Sequence, residues 1–118
     1  MNLPKTLSEK LFTSIEEILK LPKSAIYILQ VLSKEKEATI EKLMELANVS
    51  RRTAHECLKK MRDYGLVKRK ASEIEGRLKY VYFLAPLPEI IEVLRKSLQR
   101  KLKNLEELQK RLGGEQNE

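Results

Sequence analysis

Two amphipathic segments separated by only three residues set the tightest limit on how this chain folds. The first, Ile40 to Ala47, places Ile40, Leu43, Met44 and Ala47 on one side at helical spacing, with Thr39 ahead of it as an N-cap. The second, about Arg51 to Tyr64, does the same with Ala54, Cys57, Leu58, Met61 and Tyr64. Between them stands Asn48-Val49-Ser50, which has the chemistry of a turn. Asn tolerates a left-handed helix end, Val49 can plug the core, and Ser50 can cap the helix that follows. Gly65 sits where the second helix stops and allows positive φ there. The pattern predicts a helix-turn-helix.

The flanking segments extend this frame. A helix is expected over 6–21, opened by the capping box Thr6-Leu7-Ser8-Glu9 and ended by Pro22, with Leu7, Leu11, Ile15 and Ile18 as its apolar stripe. A second helix, capped by Ser24, should reach Ser33, with Ala25, Ile28, Leu29 and Leu32 inward and Lys34 to Glu37 as a charged connection. After Gly65, Leu66 to Ala71 and Lys79 to Leu84 read as two short strands, and Ser72 to Leu78, containing Gly76, as the loop of a hairpin. Pro86 and Pro88 open a last helix to about Leu112, some ~37 Å long, which Gly113-Gly114 should stop, leaving a frayed polar tail to Glu118. In 118 residues with four Gly, four Pro and mostly helix-forming side chains, this amounts to a single domain, mainly α with a small β-hairpin. Its parts are 6–21, a core over 24–84, and a terminal helix over 88–112.

Residue types that carry chemistry are scarce. Cys57 is the only cysteine, which excludes an internal disulfide, and its place on the inward face suits a small buried hydrophobe. His55 is the only histidine and Asp63 the only aspartate, so no metal site and no carboxylate pair is expected. There is no glycine-rich phosphate loop and no nucleophile elbow. Neither an enzyme nor a cofactor is expected. Met1 to Lys10 lacks the apolar stretch of an export signal, and no run is long enough for a membrane span, so a cytoplasmic protein without a membrane partner is expected.

Charge then selects the functional class. The chain carries a net charge of +7, and residues 51–70 alone hold eight basic side chains against Glu56 and Asp63. Residues 1–49 balance at zero, as do 71–88. Such concentration in one segment is the footprint of a site for phosphate. On the second helix of the motif, Arg52, His55, Glu56 and Lys59 face away from the apolar side, flanked by Arg51 and Arg62 on one edge and Lys60 on the other. A helix with one apolar and one basic face can dock on a core and enter a DNA major groove together. Its N-terminal residues Ser50, Arg51, Arg52, Thr53, His55 and Glu56 are candidates for base contacts, and Lys59, Lys60 and Arg62 for phosphate.

The stretch Val49-Ser50-Arg51-Arg52-Thr53-Ala54, continuing through Leu58-Lys59-Lys60-Met61-Arg62-Asp63-Tyr64-Gly65-Leu66-Val67 to Gly76-Arg77-Leu78-Lys79-Tyr80-Val81-Tyr82, resembles the winged helix-turn-helix of the MarR/TrmB-like transcription regulators. Its small archaeal members are the most similar. The resemblance implies that the hairpin is a wing lying along the minor groove or backbone, with Arg77 as the contact and Lys79 supporting it. Neither a sugar-binding domain nor the Asp-Arg wing pattern of MarR relatives is found in these residues, so no effector is carried over.

The last helix has a heptad-like seam of Ile91, Leu98, Leu105 and Leu112, with Leu94 and Leu108 between them, Leu102 beside them and Lys101 interrupting. A striped helix this long calls for a partner helix, and regulators of the resembled group dimerise through terminal helices. The expectation is a homodimer that binds double-stranded DNA and regulates transcription. Two alternatives are a nonspecific architectural DNA-binding protein and a winged-helix protein-interaction module. Competition by unrelated duplex discriminates the first, and co-purification of a partner without DNA binding the second.

Overall fold

The computed structural model describes residues 5–116 and contains five helices and three strands among them. They follow in the order α1 (Lys5–Leu19), α2 (Lys23–Glu35), β1 (Glu37–Ala38), α3 (Ile40–Ala47), α4 (Arg51–Tyr64), β2 (Val67–Ile74), β3 (Arg77–Leu84) and α5 (Leu87–Gln116). The sheet is antiparallel with order β1-β3-β2. This is a winged helix-turn-helix with a long C-terminal helix.

The local chemistry of the motif is realised residue by residue. Thr39 caps α3 by accepting from the Lys42 N–H at 3.3 Å, and Ser50 caps α4 by accepting from the Thr53 N–H at 3.1 Å. Asn48 takes the left-handed conformation at φ 53°, and Gly65 at φ 88° ends α4. Val49 packs on the core between the two helices. The apolar faces of α2, α3 and α4 then close on one another through Ile28, Leu29, Leu32, Leu43, Leu58 and Met61, all essentially inaccessible to water. Burying side chains of this size contributes ~1.5–3 kcal/mol each, the dominant favourable term in a core so small.

Several boundaries differ from the sequence expectation. Lys5 is already helical, so Thr6 lies inside α1 rather than capping it, and the helix ends at Leu19 with Lys20 left-handed at φ 54°. Ser24 is not the cap of α2: Pro22 holds that position, and the Ser24 hydroxyl lies 3.4 Å from the Cys57 sulfur of α4. The connection Lys34–Glu37 is mostly structure, since α2 runs to Glu35 and Lys36 turns the chain at φ 68° into β1. The hairpin is therefore part of a three-stranded sheet, in which Glu37 and Ala38 pair with Phe83 and Tyr82. Its loop shrinks from Ser72–Leu78 to Glu75-Gly76, both with positive φ as a two-residue hairpin turn demands. Tyr64, expected inward, is exposed at the end of α4.

Helix α5 departs most. It begins at Leu87 and continues through Gly113 and Gly114 to Gln116. Neither glycine takes positive φ, so both stay in the helix at a conformational cost of roughly 0.5–1 kcal/mol apiece. Asn117 and Glu118, the end of the expected frayed tail, lie outside the described residues, as does Met1–Pro4. Among the described side chains of α5 only Ile90 and Leu94 are buried, and beyond them the helix leaves the core. The extents of 71 × 30 × 23 Å follow from this projection, as does a radius of gyration of 18.0 Å where a compact chain of this length gives about 13 Å.

Candidate nucleic-acid interface

The sequence-assigned residues of α4 separate by face. Ala54, Cys57, Leu58 and Met61 are buried, which turns Arg52, His55, Glu56 and Lys59 outward into solvent. Arg51 and Arg62 lie on one edge, and Arg62 is half-buried with its Nε shielded from solvent and without a hydrogen-bond partner among the described residues. Thr53 and Lys60 lie on the other edge, where they line a shallow cleft with Pro22, Ser24, Glu56 and Cys57. The Ser24–Cys57 contact closes its floor, so Cys57 acts there as a packing residue beside the basic helix.

The wing brings a second set of cations. Alternation along the β2–β3 register puts Lys68, Lys70, Arg77 and Lys79 on one face of the hairpin and Arg69, Tyr80 and Leu78 on the other. Arg77 opens β3 next to the turn, and Arg69 stacks on Tyr80 with its guanidinium 4.0 Å from the ring centre. Sequence reasoning named Arg77 and Lys79 as wing contacts and counted Lys68 and Lys70 only toward the charge of residues 51–70. Their membership of the same face could be read only once the pairing of Lys70 with Val81 and Ser72 with Lys79 was fixed.

Acidic side chains are interleaved with this basic surface. Arg52 pairs with Glu56 at 3.1 Å and Lys59 with Asp63 at 3.2 Å, one helical turn apart on α4. Lys68 pairs with Glu89, and Lys70 with Glu37. Glu41 of α3 accepts from two cations at once, Arg51 at 3.2 Å and Lys79 at 3.3 Å. Slight burial pushes its carboxyl up, but the hydrogen bonds from Lys79 and Arg51 outweigh this and leave it below the usual carboxylate range. All these pairs are solvent-exposed and contribute only ~0.2–1 kcal/mol each, so a polyanion can compete for their cations. Lys60, Arg62, Arg69 and Arg77 have no ion-pair partner among the described residues.

The seam residues of α5 occupy two settings. Leu94 is buried against its own core, and with Ile91 and Leu87 it borders an apolar groove of about 390 Å³ whose other wall is Leu7, Leu11 and Ile18 of α1. Leu98, Leu102, Leu105, Leu108 and Leu112 stand 49–62% exposed on the projecting part of the helix. Lys101, which breaks the seam, donates from its Nζ to the Ile18 carbonyl, one of the unsatisfied acceptors at the end of α1. No described helix is long and apolar enough to cross a membrane. No cluster of metal-ligating side chains occurs among the described residues.

A capped helix-turn-helix, a cation-bearing hairpin behind it and a terminal helix on the far side define the winged-helix class of regulators. The chain belongs to the TrmB family: the model of the family described as "Sugar-specific transcriptional regulator TrmB" matches residues 28–88, from α2 to the start of α5. The family is one of transcription regulators that bind DNA, not of enzymes. Its sugar specificity is not carried to this chain by a match confined to the winged helix. No curated protein matches the chain. Among solved structures, a possible transcriptional regulator from Methanosarcina mazei Go1 superposes with a TM-score of 0.73 at 18% identity, over 84% of this chain and 85% of that one. A protein from the thermoacidophilic archaeon Sulfolobus tokodaii is 27% identical over 84% of this chain and 94% of that one, with a TM-score of 0.63. A MarR family transcriptional regulator from Silicibacter pomeroyi shares the fold at a TM-score of 0.54 and 22% identity, over 96% of this chain and 84% of that one.

Proposed function

We propose that the chain is a single domain that regulates transcription as a homodimer, placing α4 in the major groove of double-stranded DNA and the β2–β3 wing against the flanking backbone. The observation that carries this reading is the outward face of α4. Arg52, His55, Glu56 and Lys59 project from a helix whose opposite side is locked in the core, with the basic face of the wing beside them. A helix so fixed offers its N-terminal side chains to base edges as one rigid set. Arg52 is suited to guanine and Glu56 to cytosine, and Ser50, Arg51, Thr53 and His55 complete the base-reading group. Lys59, Lys60, Arg62, Arg77 and Lys79 supply phosphate contacts that set register and affinity.

The dimer is proposed through α5. Ile91, Leu94, Leu98, Leu102, Leu105, Leu108 and Leu112 form its seam, and the α1–α5 groove continues it onto the core. A projecting helix with half its leucine surface in water lacks a cover, and a second α5 supplies one of matching length. A twofold axis along that seam would offer two α4 helices to successive major grooves roughly 34 Å apart.

The test is duplex selection from a random pool, followed by binding of the selected and an unrelated duplex across salt concentrations. Arg52→Ala should relax preference at one base pair at a cost of ~1–3 kcal/mol, whereas Lys60→Ala should weaken both duplexes alike and lower the salt slope by about one. Equal affinity for every duplex would favour an architectural role. Unchanged binding in both variants would remove α4 from the interface.

A further inference from the structure

We propose that the Glu41 carboxylate occupies the position of a DNA phosphate, so that the free protein carries its own competitor for the nucleic acid. The inference rests on the reading of α4 and the wing as the DNA face. Glu41 belongs to the first turn of α3, outside both contact elements. Its two oxygens nevertheless hold one cation from each, Oε2 taking the Arg51 guanidinium of α4 and Oε1 the Lys79 ammonium of β3. Among the described residues it is the one acid shared by two cations; every other basic group on these faces that is paired has an acid to itself.

The arrangement has the form of a phosphate clamp already filled. Two non-bridging oxygens of a phosphodiester need donors from two directions, and a guanidinium with an ammonium meets that need. Arg51 and Lys79 are separated along the chain and long enough to wander, yet here they converge on one small anion at the junction of helix and wing. That junction is open: the Arg51 and Lys79 side chains remain 55% and 42% exposed, so both cations are accessible to a phosphate from solvent. Arg52 and His55 form no hydrogen bond or ion pair with Glu41. The inference thereby moves Arg51 from the base-reading group to the phosphate contacts beside Lys79, where the competitor acts on the sequence-independent part of the affinity and restrains attachment to arbitrary DNA.

The experiment compares wild type with Glu41→Gln, which keeps the shape and removes the charge, on a labelled unrelated duplex over a salt series. The expected result is roughly three- to tenfold tighter binding and a log–log salt slope steeper by about one. Arg51→Ala should also cost more in the Glu41→Gln background than in wild type. Unchanged or weaker binding by Glu41→Gln overturns the proposal and leaves Glu41 as a brace that holds the wing. A measurement free of any substitution accompanies it: the carboxyl carbon resonance of Glu41 in the wild-type protein should shift as duplex is added. A resonance that stays put in the saturated complex also overturns the proposal. If Arg52→Ala and Lys60→Ala leave affinity intact, the interface itself is misassigned; if they damage it while Glu41→Gln does nothing, only this inference falls.

Discussion

Single residues decide the corners of this fold. Gly65 ends α4 at φ 88°, donating its N–H to the Arg62 and Met61 carbonyls. A Cβ there would meet Val93 Cγ2 at 3.5 Å, an ordinary contact, so the difficulty with a side chain is the backbone and not the space. Gly65→Ala should therefore destabilise by about 1–2 kcal/mol with the fold retained, read from urea unfolding at constant m-value. Glu41 sets a second expectation. The hydrogen bonds from Lys79 and Arg51 hold its carboxyl below the usual carboxylate range, so the stability of those pairs is present above that range and lost as the pH falls through the folded-state value. Acid titration of wild type against Glu41→Gln should show wild type losing more stability below pH 4.5, and parallel curves would remove this linkage.

At the level of elements, the ends of α3 and α4 proved readable because the signal for them lies within a few residues. Thr39, Asn48, Ser50 and Gly65 each do in the structure what their own chemistry suggests, which is why α3 and α4 have the predicted bounds. Strand β1 could not be read in this way. Two residues, Glu37 and Ala38, carry no periodicity, and they become a strand only because Phe83 and Tyr82 lie alongside. The same reason hides the Glu41 clamp, whose partners come from the next helix and from a strand 38 positions on. Gly113-Gly114 misled in the opposite sense, since glycine permits a stop without compelling one. The hairpin turn retains a local defect: Glu75 holds φ 51°, a conformation that favours Asn or Gly. Glu75→Asn should stabilise the protein by about 0.5–1 kcal/mol in thermal or urea unfolding, and by removing a negative charge from the wing tip it should tighten DNA binding.

Across the whole molecule, the winged helix and the far half of α5 have different needs. The former closes its own core, whereas the latter has its leucines in water, to be covered by a second α5 in the proposed dimer. Replacing Leu98 and Leu105 together by Asp should turn a species of twice 13.8 kDa into one of 13.8 kDa in sedimentation, with the winged helix still folded by circular dichroism. A wild-type protein that sediments as the smaller species at micromolar concentration would reject the proposed seam.

Only Ala85 and Pro86 separate the last wing strand from α5. Ala85 is buried and donates its N–H to the Leu66 carbonyl, while the ring of Pro86 fixes its own backbone torsion. So short and so tightly held a joint has no slack, and the hairpin must turn with the root of the long helix like two arms of one crank. With the wing on DNA and a second α5 along the far leucines, as proposed, a change in how the helix is gripped would reach the wing through this joint.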